Sequence, residues 1–188
     1  MNDLVELFRE FPGIGPRQAR RFAYFLMSKP KGYSDKLINA IQTVRNSIHT
    51  CPSCFRLLTA KECSICTSNR EKTLMVVSRD IDFEAIEKTG AYNGYYFILG
   101  GTVPILDKNP EQRIRINELL KRIEQDSISE IIFSMSLTPE GENTEQYVRS
   151  MIKKDIKKST LGRGLSTGSE LEYVDGDTLK NALKNRFI

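Results

Sequence analysis

A chain of 188 residues with 39% hydrophobic and 28% charged residues is long enough to bury a real core and has an ordinary soluble composition. Its longest strongly apolar run, Tyr95-Tyr96-Phe97-Ile98-Leu99, is too short for a membrane span or a secretory h-region, so a cytoplasmic protein with no membrane partner is expected. The net charge is +4, and residues 1–50 hold eight lysines and arginines against four acids, an asymmetry that favours a polyanion facing the N-terminal part.

In chain order, Leu4, Leu7, Phe8 and Phe11 repeat at helical spacing, with Asn2 or Asp3 as candidate N-cap. The turn Pro12-Gly13-Ile14-Gly15-Pro16 follows. Its glycines allow positive φ and leave no side chain between backbone and ligand, while Pro16 presets φ for a first helical position. The turn therefore ends as an open helix N-terminus, where unpaired N–H groups and the positive end of the dipole suit a phosphate of any sequence. Ala19, Phe22, Ala23 and Leu26 mark the apolar face of the second helix, and Arg17, Arg20 and Arg21 form a basic stripe on its other side. Gly13, Gly15, Arg17, Arg20 and Arg21 are the candidate DNA-binding residues; a solvated helical hairpin is the plainer alternative. A third helix is predicted from Ser34 as cap to His49, with Leu37, Ile41, Val44 and Ile48 on one face.

Cys51-Pro52-Ser53-Cys54 and Cys63-Ser64-Ile65-Cys66 then use all four cysteines of the chain. Two Cys-x-x-Cys pairs supply four thiolates for one tetrahedral Zn²⁺, and a complete four-sulfur shell leaves no open position, so the metal is expected to be structural. His49, the only histidine, is read as a bystander.

From Thr73 the pattern alternates strand and helix. Strands are predicted at Leu74–Val77, Tyr95–Leu99 and Ile131–Phe133. Helices are predicted over Asp80–Thr89, around Ile116, Leu119, Leu120 and Ile123, and near Thr144–Lys157 after a loop from Ser134 to Glu142. Short continuous apolar strands in such alternation argue for a parallel sheet covered by helices, with ligand-facing loops after Val77 and Phe133. Near the C-terminus, Gly162-Arg163-Gly164 lacks the Gly-Lys-Ser/Thr of a nucleotide loop; Glu170–Asp175 reads as a strand, and a helix with Leu179 and Leu183 starts near Asp177.

The order of these parts resembles the RecR family of bacterial recombination mediators: Pro-Gly-Ile-Gly-Pro, the four cysteines, Glu140-Gly141-Glu142-x-Thr144, and Gly168-x-Glu170-Leu171-Glu172-Tyr173-Val174-Asp175-x-x-Thr178-Leu179. The resemblance implies an α/β fold with a helix-hairpin-helix region at 1–50, a zinc finger at 51–72, a parallel-sheet Toprim domain at 73–165 and a C-terminal oligomerisation segment at 166–188. It also implies a homodimer or homotetramer, sequence-independent DNA binding, and partnership with RecO and RecF in loading recombinase at single-strand gaps during DNA repair.

Catalytic Toprim enzymes carry a Glu after the first strand and an Asp-x-Asp later, which together hold Mg²⁺. Alignment of the strands puts Ser78 at the first position and Ser136-Leu137-Thr138 at the second. Neutral hydroxyls do not replace the hard carboxylates that Mg²⁺ requires. Glu140 and Glu142, with Asp80 and Asp82 nearby, leave room for weak metal binding, but a non-enzymatic protein is expected. The alternatives are a Mg²⁺-dependent Toprim nuclease or primase and a pure interaction module of a repair complex.

Overall fold

Three helices form where the N-terminal sequence repeats its apolar residues: α1 (Asn2–Arg9), α2 (Pro16–Ser28) and α3 (Lys31–Ser47). The computed structural model describes residues 1–186, and these helices make up the first of two compact units, Met1–His49. Ala19 and Ala23 are buried between α1 and α2, small enough to let the helices approach closely. Phe8 meets Phe22 edge-on at 5.7 Å and stacks on Phe11 at 5.9 Å, a geometry that favours aromatic rings.

Two predicted caps are corrected. Met1 precedes α1 without a side-chain cap, so neither Asn2 nor Asp3 serves. Pro30, not Ser34, precedes α3, because its fixed φ already leads the chain into a helix and Gly32 falls in the first turn, where amides lack intrahelical partners. Leu37, Ile41 and Val44 do share a face of α3, but they are 39%, 60% and 53% exposed.

The second unit begins at Thr50. The short strands β1 (His49–Thr50) and β2 (Leu57–Leu58) pair as a ribbon, and α4 (Ser64–Thr67) completes the cysteine-bearing segment. Then follow β3 (Glu71–Val77), α5 (Asp80–Glu87), β4 (Gly94–Ile98), α6 (Ile116–Gln125), β5 (Glu130–Ser134), α7 (Pro139–Met151), β6 (Lys157–Thr160) and α8 (Gly176–Lys184). The four later strands form a wholly parallel sheet in the order β4-β3-β5-β6, with Val76 opposite Phe97 on one side and Phe133 on the other.

Alternation along these strands divides the core in two. Leu74, Val76, Phe97, Leu99, Ile131 and Phe133 pack with Ile116, Leu119 and Ile123 of α6 and Val148 of α7. Met75, Val77, Tyr96 and Ile98 face Phe83 of α5 and, with it, Cys51, Cys54, Leu58, Cys63 and Ile65. The cysteine segment thus completes the second face of the sheet.

Three further expectations change. The helix placed near Thr144–Lys157 starts at Pro139, because Thr138 caps it by accepting from the Gly141 amide at 3.2 Å and Pro139 suits its first position. It ends at Met151, and Lys157, read as its last residue, instead opens the edge strand β6, a strand not expected from the sequence. Glu170–Asp175 alternates like a strand but pairs with none; Leu171–Tyr173 is a single 3-10 turn, and Asp175 caps α8 through the amides of Asp177 and Thr178.

Candidate nucleic-acid interface and metal centre

Between α1 and α2, the Ile14 amide donates to the Phe11 carbonyl at 3.1 Å. Gly13 takes φ +76°, a conformation an L side chain rarely adopts. Gly15 does not share this feature: at φ −83° and ψ 171° it is the extended N-cap of α2, with Pro16 next. Only one of the two glycines therefore meets the conformational demand expected of both, while both are open, with no atom within 4 Å of an added Cβ. No side chain caps the first turn of α2. Arg17, Arg20 and Arg21 are exposed there. Arg21 leans on Gln18 at 3.3 Å, and Arg17 and Arg20 make no side-chain hydrogen bond or ion pair among the described residues.

The four cysteines converge. Their sulfurs lie within 4.8 Å of one another, with Cys51–Cys66 at 3.8 Å and Cys54–Cys63 at 3.6 Å. A tetrahedral ion with bonds of about 2.3 Å requires sulfurs about 3.8 Å apart, and a disulfide requires about 2.05 Å, so the set fits a metal. Local backbone bonds build both hooks: Cys51 N–H to Arg56 O and Phe55 N–H to Cys51 O in the first, Cys66 N–H and Thr67 N–H to Cys63 O in the second. Phe55 takes φ +62° and is held there by Phe97, 5.3 Å away, and by the Arg115 guanidinium over its ring.

The sulfurs alone work against one another. The Cys54 thiol is pushed up by its hydrogen bond to Cys66 and by burial, and Cys63 chiefly by burial. At Cys51 burial opposes ionisation, but hydrogen bonds from the backbone of Cys54 and Ser53 and from neighbouring thiols together outweigh it and bring the thiol down to about 7. A bound divalent cation reverses this repulsion and favours four thiolates.

The first hook also rests on the free edge of β4. Ile98 N–H donates to Cys54 O at 2.9 Å. Arg122 of α6, 8% exposed, donates through Nη1 to Ser53 O at 2.7 Å and to Tyr96 O at 2.9 Å. Arg115 reaches Ile98 O at 3.1 Å and Arg70 reaches Gly94 O at 3.2 Å. Sequence reading missed these arginines; the available signal was Arg122 lying between the core positions Leu119 and Ile123.

At the C-terminal rim of the sheet, the positions expected to correspond to catalytic acids make other contacts. Ser78 is buried and its Oγ approaches Met135 Sδ at 3.2 Å. Ser136 is exposed, and Thr138 caps α7. A Cβ on Gly141 would lie 2.0 Å from Ser136 O, so this turn closes only on glycine. Glu140 accepts from Thr102 Oγ1 at 3.2 Å and Glu142 pairs with Arg163 at 2.9 Å. Asp80 accepts the Leu57 amide at 2.8 Å, and Asp82 the Arg79 amide at 3.0 Å. Each of the four carboxylates is thus engaged with the protein. Among the described residues, the cysteine set is the only convergent group of three or more histidine, cysteine or acidic ligands.

Helical hairpin, four-sulfur finger and parallel sheet together define a Toprim-domain protein of the helix-hairpin-helix type. Family profiles match three stretches of the chain: RecR helix-hairpin-helix over residues 1–45, Toprim domain over 72–161 and RecR C-terminal over 164–186. The chain is similar to proteins named Recombination protein RecR. That of Lactobacillus helveticus (strain DPC 4571) is 36% identical over 187 residues, covering 97% of this chain and 94% of that protein. That of Herpetosiphon aurantiacus is 39% identical over 187 residues, covering 97% and 91%. One from Dehalococcoides mccartyi (strain ATCC BAA-2100) is 36% identical over 189 residues, covering 99% and 93%. The chain belongs to the RecR family. No described helix is long and apolar enough to cross a membrane.

Proposed function

We propose that this chain is a non-enzymatic recombination mediator of DNA repair that grips DNA by its backbone through the hairpin. The observation that carries the DNA contact is the open N-terminus of α2, with Gly13 and Gly15 bare and Arg17, Arg20 and Arg21 exposed beside it. Amides and guanidinium groups of this kind bind phosphates without reading bases, so affinity is electrostatic and steeply salt-dependent. The name shared by the relatives, Recombination protein RecR, supports the cellular role.

In this reading Cys51, Cys54, Cys63 and Cys66 hold one structural Zn²⁺ per chain, which supplies rigidity and no chemistry. The regions divide as 1–50 for DNA, 51–72 for zinc, 73–165 as the Toprim domain and 166–188 for assembly, and the protein works in the cytoplasm. The missing acids at Ser78, Ser136 and Thr138 disfavour Mg²⁺-dependent strand chemistry, which leaves the Toprim surface for RecO- and RecF-type partners. The exposed apolar face of α3, carrying Leu37, Ile41 and Val44, suits a second copy of the chain in a homodimer or homotetramer.

Anisotropy of labelled DNA over a salt series tests the contact. The double variant Arg17→Glu/Arg20→Glu should bind more weakly and with a shallower salt slope, while its circular dichroism is unchanged. Full retention of binding at moderate salt moves the contact elsewhere. Incubating the wild-type chain with DNA and Mg²⁺ should leave the strands intact; metal-dependent cleavage would favour the enzyme reading.

A further inference from the structure

The two edges of the sheet are protected differently. The β6 edge is Lys157-Lys158-Ser159-Thr160, whose lysines discourage pairing with another chain. The β4 edge is Gly94-Tyr95-Tyr96-Phe97-Ile98, uncharged, rich in β-forming residues and free of proline, the composition most prone to recruit another strand. Its outward groups are covered from outside: Ile98 N–H by the Cys54 carbonyl, and Tyr96 O by an Arg122 guanidinium that also holds the Ser53 carbonyl. Ser53 and Cys54 both lie in the first cysteine hook.

We propose that the four-cysteine finger is a metal-dependent cap on the free edge of β4, and that a chain stripped of metal offers this edge to a second copy of itself. The finger's own secondary structure is slight, a two-residue ribbon and one four-residue helix, so beyond the packing of Leu58 and Ile65 on the sheet it relies on the metal for its shape. Segments this small depend on a metal or staple for their fold. Releasing the sulfurs frees the Ser53 and Cys54 carbonyls and with them the Ile98 amide, while Arg122 of α6 stays on the Tyr96 carbonyl. Two copies of one uncharged edge meet about a two-fold axis, each Ile98 amide donating to a carbonyl of the other copy, as an isologous contact requires. The proposal rests on the metal reading above.

Amide hydrogen exchange and sedimentation of the full chain, before and after chelation, test it. Zinc content is measured first: a folded protein isolated without metal defeats the metal reading itself. With metal present and then removed, exchange at Ile98 should rise by about tenfold or more, while Leu99, bonded to Val77 O at 2.9 Å inside the sheet, stays protected. The chelated chain should also gain a concentration-dependent heavier species, and adding Zn²⁺ back should reverse both changes. Unchanged protection at Ile98, joint loss at Ile98 and Leu99, or an opened edge without added self-association would each overturn the proposal. Arg122→Gln in the metal-loaded chain should raise Ile98 exchange without chelation, and unchanged exchange in the folded variant counts against the cap. Should that variant fail to fold, the chelation comparison decides alone.

Discussion

Arg70 and Glu87 meet in a two-pronged ion pair, Nη2 to Oε1 at 2.6 Å and Nη1 to Oε2 at 3.2 Å. Arg70 precedes β3, Glu87 ends α5, and the same guanidinium reaches the Gly94 carbonyl, so one residue ties helix, central strand and edge strand together. The hydrogen bond from Arg70 holds the Glu87 carboxyl below its ordinary value, against the opposing effect of burial.

This pair gives a pH dependence of defined sign. A carboxyl with a lowered folded pKa stabilises the fold above its unfolded pKa, near 4.5 for glutamate, and loses that contribution as pH falls through the folded value. Glu87→Gln should therefore cost about 1.5–3 kcal/mol at neutral pH, the range for hydrogen bonds to charged groups. Urea melts of variant and wild type should converge as pH drops below the glutamate range.

Gly141 closes the start of α7 where a methyl group would lie 2.0 Å from the Ser136 carbonyl oxygen. That obstacle is backbone and cannot swing aside, so Gly141→Ala should destabilise the chain by about 1–3 kcal/mol or more. Denaturant unfolding monitored by circular dichroism reads this directly.

Gly13 behaves differently, because its surroundings are empty and only its φ of +76° constrains it. Gly13→Ala should cost about 1–2 kcal/mol in stability. Gly13→Asn should cost less, since asparagine tolerates this region better. The order glycine, asparagine, alanine in melting temperature checks the turn separately from its charge.

Removal of a single sulfur tests the centre. Cys54→Ser should lower bound zinc well below one per chain and reduce stability by several kcal/mol, as for other small metal-dependent segments. Atomic absorption and thermal unfolding of the same preparations measure both.

The cysteine spacing, the start of α2 at Pro16 and the apolar strands β3, β4 and β5 are legible in the sequence because each signal is local: a ligand pair, a fixed φ, a buried run. Strand β6 is not, because an edge strand of Lys-Lys-Ser-Thr pairs through its backbone while burying little side-chain surface. Glu170–Asp175 misleads in the opposite direction, since its alternation has no neighbouring strand to satisfy it. In the candidate site, the hairpin arginines are evident from charge and spacing. The roles of Arg70, Arg115 and Arg122 are not, because a guanidinium turned inward to backbone carbonyls has the same sequence signature as one in water. The commitments of Glu140 to Thr102 and Glu142 to Arg163 join segments distant in the chain and need the fold to be seen.

The core that holds Met75, Val77, Tyr96 and Ile98 is completed by Cys51, Cys54, Leu58 and Ile65. Truncation should respect this. A fragment begun at residue 73 trims Glu71 and Lys72 from β3 and leaves one face of the sheet covered by α5 alone, and should be recovered mainly as inclusion bodies. One begun at Thr50 retains both faces and is the smallest piece suited to separate expression, for instance as bait for repair partners without the DNA-binding hairpin.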